Sequence, residues 1–264
     1  PEFLTHEQLE SFRKTGFLVL RRAVPPDLVK RAQRAILADL RDTYRPEDLD
    51  MMSAQSFCRE LQRDDGGVLS DLMQCSILMR AVESLVGPAP WGKGHMPQVA
   101  VRFPEDPRFD GLPGTTTWPH IDGVPTASNG VGQFSPFTAL VGVALSDQLE
   151  DFEGNLVVYP GSHQQGCSSF QRQREASGTL WPSGNAALVP EGGIDGIAPL
   201  QLHLHAGDAV IAHYLLAHCV AEHRGSDIRI NAYWRFTHQA HKRDLDQGRQ
   251  DFVCDLWSGF DAVW

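Results

Sequence analysis

Arg229-Ile230-Asn231-Ala232-Tyr233-Trp234-Arg235-Phe236 alternates polar and apolar side chains without a break. Successive side chains of an extended strand point to opposite faces. Arg229, Asn231, Tyr233 and Arg235 therefore share one face, and Ile230, Ala232, Trp234 and Phe236 the other. A wholly apolar face needs a core to lie against. The opposite face carries two arginines, which is odd for a simple sandwich and fits a barrel whose interior holds an acidic ligand.

Upstream of this strand, Ala206-Gly207-Asp208 reads as a turn that launches the buried run Ala209–His218. Further upstream, the turn-rich stretch from Gly111 to Pro119 leads into His120-Ile121-Asp122. Residues i and i+2 of a strand face the same way, so His120 and Asp122 can offer an imidazole and a carboxylate to one metal ion. His218, on a distant strand, supplies a third ligand. Two histidines and one carboxylate on one face of a metal leave three adjacent positions open for a cosubstrate and dioxygen, the pattern of non-haem Fe(II) oxygenases. A bare His-x-Asp is a common chance match among 11 histidines, and is then a solvated surface pair. The turn and strand signals on both sides lift this one above that background.

Four stretches, in the same order, resemble the phytanoyl-CoA dioxygenase family of Fe(II)/2-oxoglutarate-dependent oxygenases. They are Leu4 to Leu20, Trp118 to Asp122, Gly154-Asn155-Leu156-Val157-Val158-Tyr159-Pro160-Gly161-Ser162-His163, and Gly207 to Arg229. The resemblance implies a mainly β chain with flanking α-helices, built on a double-stranded β-helix (a jelly roll, cupin-like). It implies iron held by His120, Asp122 and His218, and 2-oxoglutarate anchored through Arg229, whose planar guanidinium can pair bidentately with a carboxylate and stays charged when desolvated. It further implies Fe(II), 2-oxoglutarate and O2 as reactants, with hydroxylation or other oxidation of an unactivated C–H bond in a small organic metabolite and release of succinate and CO2. Related halogenating enzymes carry a small residue where this chain has Asp122, so hydroxylation is the expected outcome.

Around that centre, Gln98 and Thr138 are candidate oxoacid contacts, and Arg235 and Asn155 candidate substrate contacts. Arg235 reads equally well as one half of a structural ion pair, and Thr138 and Asn155 as strand-stabilising groups. Some family members carry a hydroxyl two residues after the distal histidine. Val220 stands there and cannot supply one, so another residue, with Thr138 the first choice, must take that part. His213 reads as a core hydrogen-bonding residue, and His163 as a turn residue near the site rather than a ligand. Two other classes stay open: a cupin-type metalloenzyme that does not use 2-oxoglutarate, and a non-catalytic binding protein on the same scaffold. The presence of Arg229 argues against the first and the intact triad against the second.

Composition narrows the partners. Thirty-three acidic against 23 basic residues give a net charge of −10, which disfavours nucleic acid and anionic membrane surfaces, since both need a positive footprint. A small-molecule substrate remains the expected partner. No apolar run approaches the roughly 20 residues of a membrane span, and no secretory signal is visible at the start. Cys58, Cys75, Cys167, Cys219 and Cys254 are odd in number with no C-x-x-C pair, so reduced thiols and a cytoplasmic setting are expected.

One domain over 1–264 is expected, with a mainly helical flank over 1–90, a jelly-roll core over 91–264, and a Gly/Ser/Gln/Pro-rich insertion at about 164–199 covering the mouth. Helices are predicted over 5–15 with Thr5 as N-cap, from Pro25-Pro26-Asp27 onward, and over Leu69–Leu85. Strands are predicted at 16–22, Gln98–Phe103, Trp118–Asp122, Phe137–Leu145, Asn155–Tyr159, Leu200–His205, Ala209–His218 and Arg229–Phe236.

Overall fold

The computed structural model describes residues 3–43, 58–63, 67–74, 76–87, 97–104, 118–123, 137–177, 189 and 191–239. Helix α1 (His6–Thr15) starts at a capping box. The Thr5 hydroxyl accepts from Gln8 N at 3.2 Å, the Gln8 side chain accepts from Thr5 N at 2.9 Å, and Gly16 ends the helix in the left-handed conformation. Strand β1 (Phe17–Leu20) follows directly. Helix α2 (Pro26–Thr43) buries Val29, Ala32, Ile36 and Leu40, the stripe expected from its spacing.

The single helix expected over Leu69–Leu85 is two helices among the described residues, α4 (Val68–Gln74) and α5 (Leu78–Val86), after the short α3 (Arg59–Arg63). Between them the Ser76 hydroxyl lies 3.4 Å from Met73 O and accepts from Leu78 N at 3.3 Å, so a side chain takes over backbone bonding at the break.

The remaining strands are β2 (Gln98–Arg102), β3 (Ala139–Ala144), β4 (Leu156–Val158), β5 (Leu200–Gln201), β6 (Ala209–His213), β7 (His218–Val220) and β8 (Arg229–Phe236), with helix α6 (Ser162–Ser177) after β4. They form two antiparallel sheets, a large one in the order β1-β6-β3-β8-β2 and a small one in the order β5-β4-β7. This is the expected jelly roll. The run Ala209–His218 is two strands rather than one: β6 ends in the large sheet, and β7 belongs to the small one. Its apolar pattern is continuous because Tyr214, Leu215, Leu216 and Ala217 stay buried through the corner. Trp118–Asp122 contributes only an isolated bridge, at His120, and Leu200–His205 a two-residue strand and an isolated bridge from Leu204 to Gln148.

Two cores follow from the alternation on β8. Ile230, Ala232, Trp234 and Phe236 join Val99, Val101, Val141, Val143 and Ile211 in a cluster shared with Phe12, Val29, Ala32, Ile36, Leu72 and Leu85 of the helices. Leu140, Ala144, Val210 and Ala212, on the other face of the large sheet, share a second cluster with Leu156, Val157, Val158 and Cys219 of the small one. The site lies between the sheets, in this second layer. The insertion expected near 164–199 is, where described, helix α6 followed by turns at 191–196. Cys167, Val189, Ile194 and Ile197 pack against the second cluster. Cys58 and Cys219 are free, but Cys167 is disulfide-bonded, against the expectation of reduced thiols throughout. Pairing requires proximity in space, and sequence spacing does not report it. No helix among the described residues is long and apolar enough to cross a membrane.

His163, at the start of α6, locks that helix to α1. Its Nε2 lies 3.0 Å from Arg13 O, and its ring fills the space over Gly16 where a Cβ would come within 2.5 Å of Nδ1. Burial holds this imidazole down at about 4 despite the Arg13 carbonyl, and burial likewise brings His218 to about 4. A histidine neutral in the fold and titrating near 6.5 when unfolded gains its proton by unfolding between those values. Stability of the metal-free protein should therefore be full above about pH 6.5 and decline as pH falls towards 4. Denaturant midpoints at pH 7 and pH 5 measure this. The drop should be smaller in His163→Gln, and an equal drop would show that His163 titrates normally.

Candidate active site

Strand β7 pairs with β4 along one edge, placing His218 opposite Val158. Its other edge takes the His120 segment. His120 N donates to His218 O at 3.0 Å and His218 N donates to His120 O at 2.9 Å. This bridge sets the two imidazoles side by side, with ring centroids 4.5 Å apart. Each ring is oriented by the carbonyl two residues before it. His120 Nδ1 lies 2.9 Å from Trp118 O, and His218 Nδ1 lies 2.9 Å from Leu216 O. A carbonyl can only accept, so Nδ1 carries the proton and Nε2 keeps its lone pair for a metal.

Asp122 completes the group. Its Oδ1 is 4.0 Å from His120 Nε2 and its Oδ2 is 3.9 Å from His218 Nε2, and the ligand atoms of all three lie within 4.8 Å of one another. Burial pushes the Asp122 carboxyl up, but Arg235, His218 and His120 together outweigh it and bring it to about 2. Burial, reinforced by His120, keeps His218 neutral at pH 7. Two imidazoles that turn Nε2 inward and one ionised carboxylate are a donor set that fits Fe(II), and no thiolate of the described cysteines belongs to the group.

Arg235 fixes the carboxylate from the facing sheet. Its Nε donates to Asp122 Oδ2 at 2.9 Å, Nη2 lies 2.8 Å from the same oxygen, and Nη1 donates to Gln98 Oε1 at 3.0 Å. Both Arg235 and Gln98 line the cavity between the sheets, together with Ala100, Arg102, His120, Asp122, His218, Arg229 and Tyr233, and with Leu140, Leu156 and Val220 as its apolar wall. Arg235 thus lies in the site and in an ion pair at once, uniting the two readings the sequence left open.

Arg229 occupies the far end. It is 2% exposed, its Nε donates to Gly154 O at 2.6 Å and its Nη1 to Ala100 O at 3.1 Å. Burial pulls its pKa down from the usual value, and a guanidinium is the side-chain cation that keeps its charge when desolvated. Among the described residues no carboxylate pairs with it. A buried cation solvated only by carbonyl dipoles has capacity for an anion. Arg102, also buried, stands directly opposite on β2. Gly154, whose carbonyl meets Arg229, is held at φ +71°, a left-handed conformation that favours glycine.

Thr138 and Asn155 are not brought to the cavity. The Thr138 hydroxyl accepts from His238 N at 2.8 Å. The Asn155 side chain accepts from Glu153 N at 2.9 Å and donates to Leu202 O at 3.2 Å, bracing the turn before β4. His213 accepts from Leu215 N at 3.1 Å and shapes the β6–β7 corner. Sequence reasoning put Tyr233 on the right face without giving it a role, although its position between Arg229 and Arg235 on one strand face was the signal that it lines the site.

A family model described as phytanoyl-CoA dioxygenase (PhyH) matches residues 12–231. Among curated protein sequences none matches the chain. The fold is similar to that of the non-haem α-ketoglutarate-dependent carbocyclase SnoK from nogalamycin biosynthesis, at 15% identity and TM-score 0.56, covering 90% of this chain and 85% of that one. It is also similar to HygX from Streptomyces hygroscopicus with nickel and 2-oxoglutarate bound, at 17% identity and TM-score 0.56, covering 89% and 87%. A third similar structure is the nickel complex of the non-haem monooxygenase ThoJ, at 17% identity and TM-score 0.55, covering 88% and 77%.

Replacing Arg235 by Gln should weaken metal binding roughly 10- to 100-fold, because a group that orients a ligand and keeps it ionised is lost while all three ligands remain. Titration of the apoprotein with Ni(II) or Co(II) at neutral pH measures it. Unchanged affinity in folded protein would mean that Asp122 is held adequately without the guanidinium.

Proposed function

Since this chain belongs to the phytanoyl-CoA dioxygenase family, we propose that it is an Fe(II)- and 2-oxoglutarate-dependent dioxygenase that hydroxylates, or otherwise oxidises, a C–H bond of a small organic metabolite and releases succinate and CO2. One observation carries the reading: a single cavity holds the metal-ligand triad at one end and, at the other, the buried Arg229 with no carboxylate among the described residues to pair with it. A 2-oxo acid with a distal carboxylate fits both ends.

In this assignment His120, Asp122 and His218 hold the iron, which supplies the activation of dioxygen and the chelation of the oxoacid head. The protein's own groups do the rest. The Trp118 and Leu216 carbonyls keep both Nε2 atoms aimed at the metal. Arg235 keeps Asp122 ionised and fixed. Arg229 takes the distal carboxylate in a desolvated setting, where a planar fork holds geometry that an ammonium cannot. Leu140, Leu156 and Val220 exclude water from the space between. Gln98, tied to Arg235, lies at the metal end as a contact for the oxoacid head, and the exposed side of Arg235 is the group offered to substrate.

For substrate class, solved structures of similar fold carry bulky natural products: HygX with hygromycin B, and the epimerase SnoN with nogalamycin RO. A comparable metabolite is the reading for this chain, which forms one catalytic domain with α6 and the turns after it beside the site. A cytoplasmic setting supplies both Fe(II) and 2-oxoglutarate, and the Cys167 disulfide is the observation that weighs against it.

Anaerobic Fe(II) plus 2-oxoglutarate should give the weak visible band of a chelated oxoacid, and turnover should release succinate. A metal-loaded, folded protein without the band would point instead to a cupin-type enzyme. Replacing His120, Asp122 or His218 by Ala should abolish turnover and weaken iron binding, since each is one of only three protein ligands. Full activity in Asp122→Ala would mean that another carboxylate serves.

Arg229→Ala should cost the oxoacid about 2–5 kcal/mol, as when one partner of a buried charge pair is removed. That is roughly 30-fold or more in affinity at about 1.4 kcal/mol per decade. Arg229→Lys should recover part, and iron affinity should not change. An unaltered 2-oxoglutarate dissociation constant would move the anchor to Arg102 or Arg235.

A further inference from the structure

The cavity gathers Arg102, Arg229 and Arg235 against one carboxylate, Asp122, although the whole chain carries a net charge of −10. It opens at the metal end. The side chains of Arg235 and His120 are 33% and 29% exposed, those of Asp122 and His218 14% and 13%, and Arg229 is buried. A molecule entering from solvent therefore meets the Arg235 guanidinium beside the metal ligands. That guanidinium is held by Asp122 at Nε, by Gln98 at Nη1, and by the Phe137 ring, whose centroid lies 5.9 Å from Cζ. With Nη2 also 2.8 Å from Asp122 Oδ2, at most three of its five N–H donors are engaged among the described residues. Two remain, on a group that is already fixed in place.

Charge decides what those donors face. Metal-bound imidazoles are neutral. The two positive charges of Fe(II) and the one of Arg229 are matched by the single negative charge of Asp122 and the two of 2-oxoglutarate. Asp122 is then shared with the metal, and Arg235 is the surplus cation at the open end. A cation in a partly desolvated cavity favours an anion beside it. We propose that the substrate is an organic acid whose carboxylate is received by the remaining donors of Arg235, which thereby sets the C–H bond presented to the metal. The inference rests on the oxoacid reading above and deepens it by naming the class of substrate. One negative charge balances one surplus cation, and a planar carboxylate matches the planar fork. A phosphate monoester would bring an excess of negative charge, and a neutral molecule would leave the cation unmatched. One side of the guanidinium holds the carboxylate that binds the metal, and the other receives the carboxylate of the substrate.

The test compares two probes, hexanoate and its neutral counterpart hexanamide, on protein saturated with Ni(II) and 2-oxoglutarate, with dissociation constants read by NMR titration. Hexanoate should bind about tenfold or more tightly than hexanamide, the effect of a hydrogen bond to a charged group, and should do so without displacing 2-oxoglutarate. In Arg235→Gln, with Ni(II) raised until it is again saturating, that preference should vanish. In Arg235→Lys, which keeps the charge without the fork, part of it should remain. Equal binding of the two probes, no binding of hexanoate, its displacement of 2-oxoglutarate, or a preference that survives in Arg235→Gln overturns the assignment. Wild-type protein that binds Ni(II) but not 2-oxoglutarate overturns the oxoacid reading itself, a result distinct from failure of the Arg235 assignment alone.

Discussion

Two backbone hydrogen bonds, from His120 N to His218 O and from His218 N to His120 O, hold the metal end of the site together. They join a short bridging segment to the edge of the small sheet, and everything catalytic is aligned by that junction. The bridge makes the two imidazoles neighbours, and the carbonyls of Trp118 and Leu216 turn both rings the same way. Asp122, two residues on from His120, then lies within reach of Arg235 on the opposite sheet. Backbone pairing does the positioning, and side-chain chemistry only finishes it. Pairing to a strand edge gives the short His120 segment a fixed place that an unpaired loop would lack.

The large sheet contributes through one strand with two different faces. The apolar face of β8 is packed under helices, which anchors the strand firmly enough to carry buried polar groups on the other side. Those groups need local support. Gly154 brings its carbonyl to Arg229 at 2.6 Å, and Ala100 brings a second. Gly142 clears the space for Tyr233. Gln148 and Asn231 satisfy each other's amides. Each device is a residue whose value lies in something omitted or already used: a missing Cβ, or an amide with its donors committed.

This explains what was legible in the sequence and what was not. The period-2 pattern of Arg229–Phe236 and the His-x-Asp spacing report side-chain direction, a local property, so the β8 faces and the shared facing of His120 and Asp122 were readable, while the jelly roll came from the resemblance of four stretches to a family. The capping box at Thr5 was readable for the same reason. The corner between β6 and β7 was not, because all its residues are buried and a continuous apolar run looks like one strand. The break between α4 and α5 turned on the bonding of one serine hydroxyl. The Cys167 disulfide depends on proximity in space, which no spacing rule encodes.

The polar residues around the cavity show why identity alone ranks candidates poorly. Thr138 and Asn155 have the right chemistry to bind a carboxylate, and both are fully buried. Neither lines the cavity: the Thr138 hydroxyl lies at His238 N, and the Asn155 amide is spent on Glu153 N and Leu202 O. Turning Asn155 to a ligand would strand the buried Leu202 carbonyl, at about 1–3 kcal/mol. Arg229 has five N–H donors and spends two on carbonyls, so binding an anion there breaks nothing. Within a jelly-roll interior where buried polar groups must be satisfied, the residues that recognise a ligand are those whose bonding is incomplete without it. For such residues ligand binding and fold stability are linked, because the anion relieves the burial of the guanidinium that receives it.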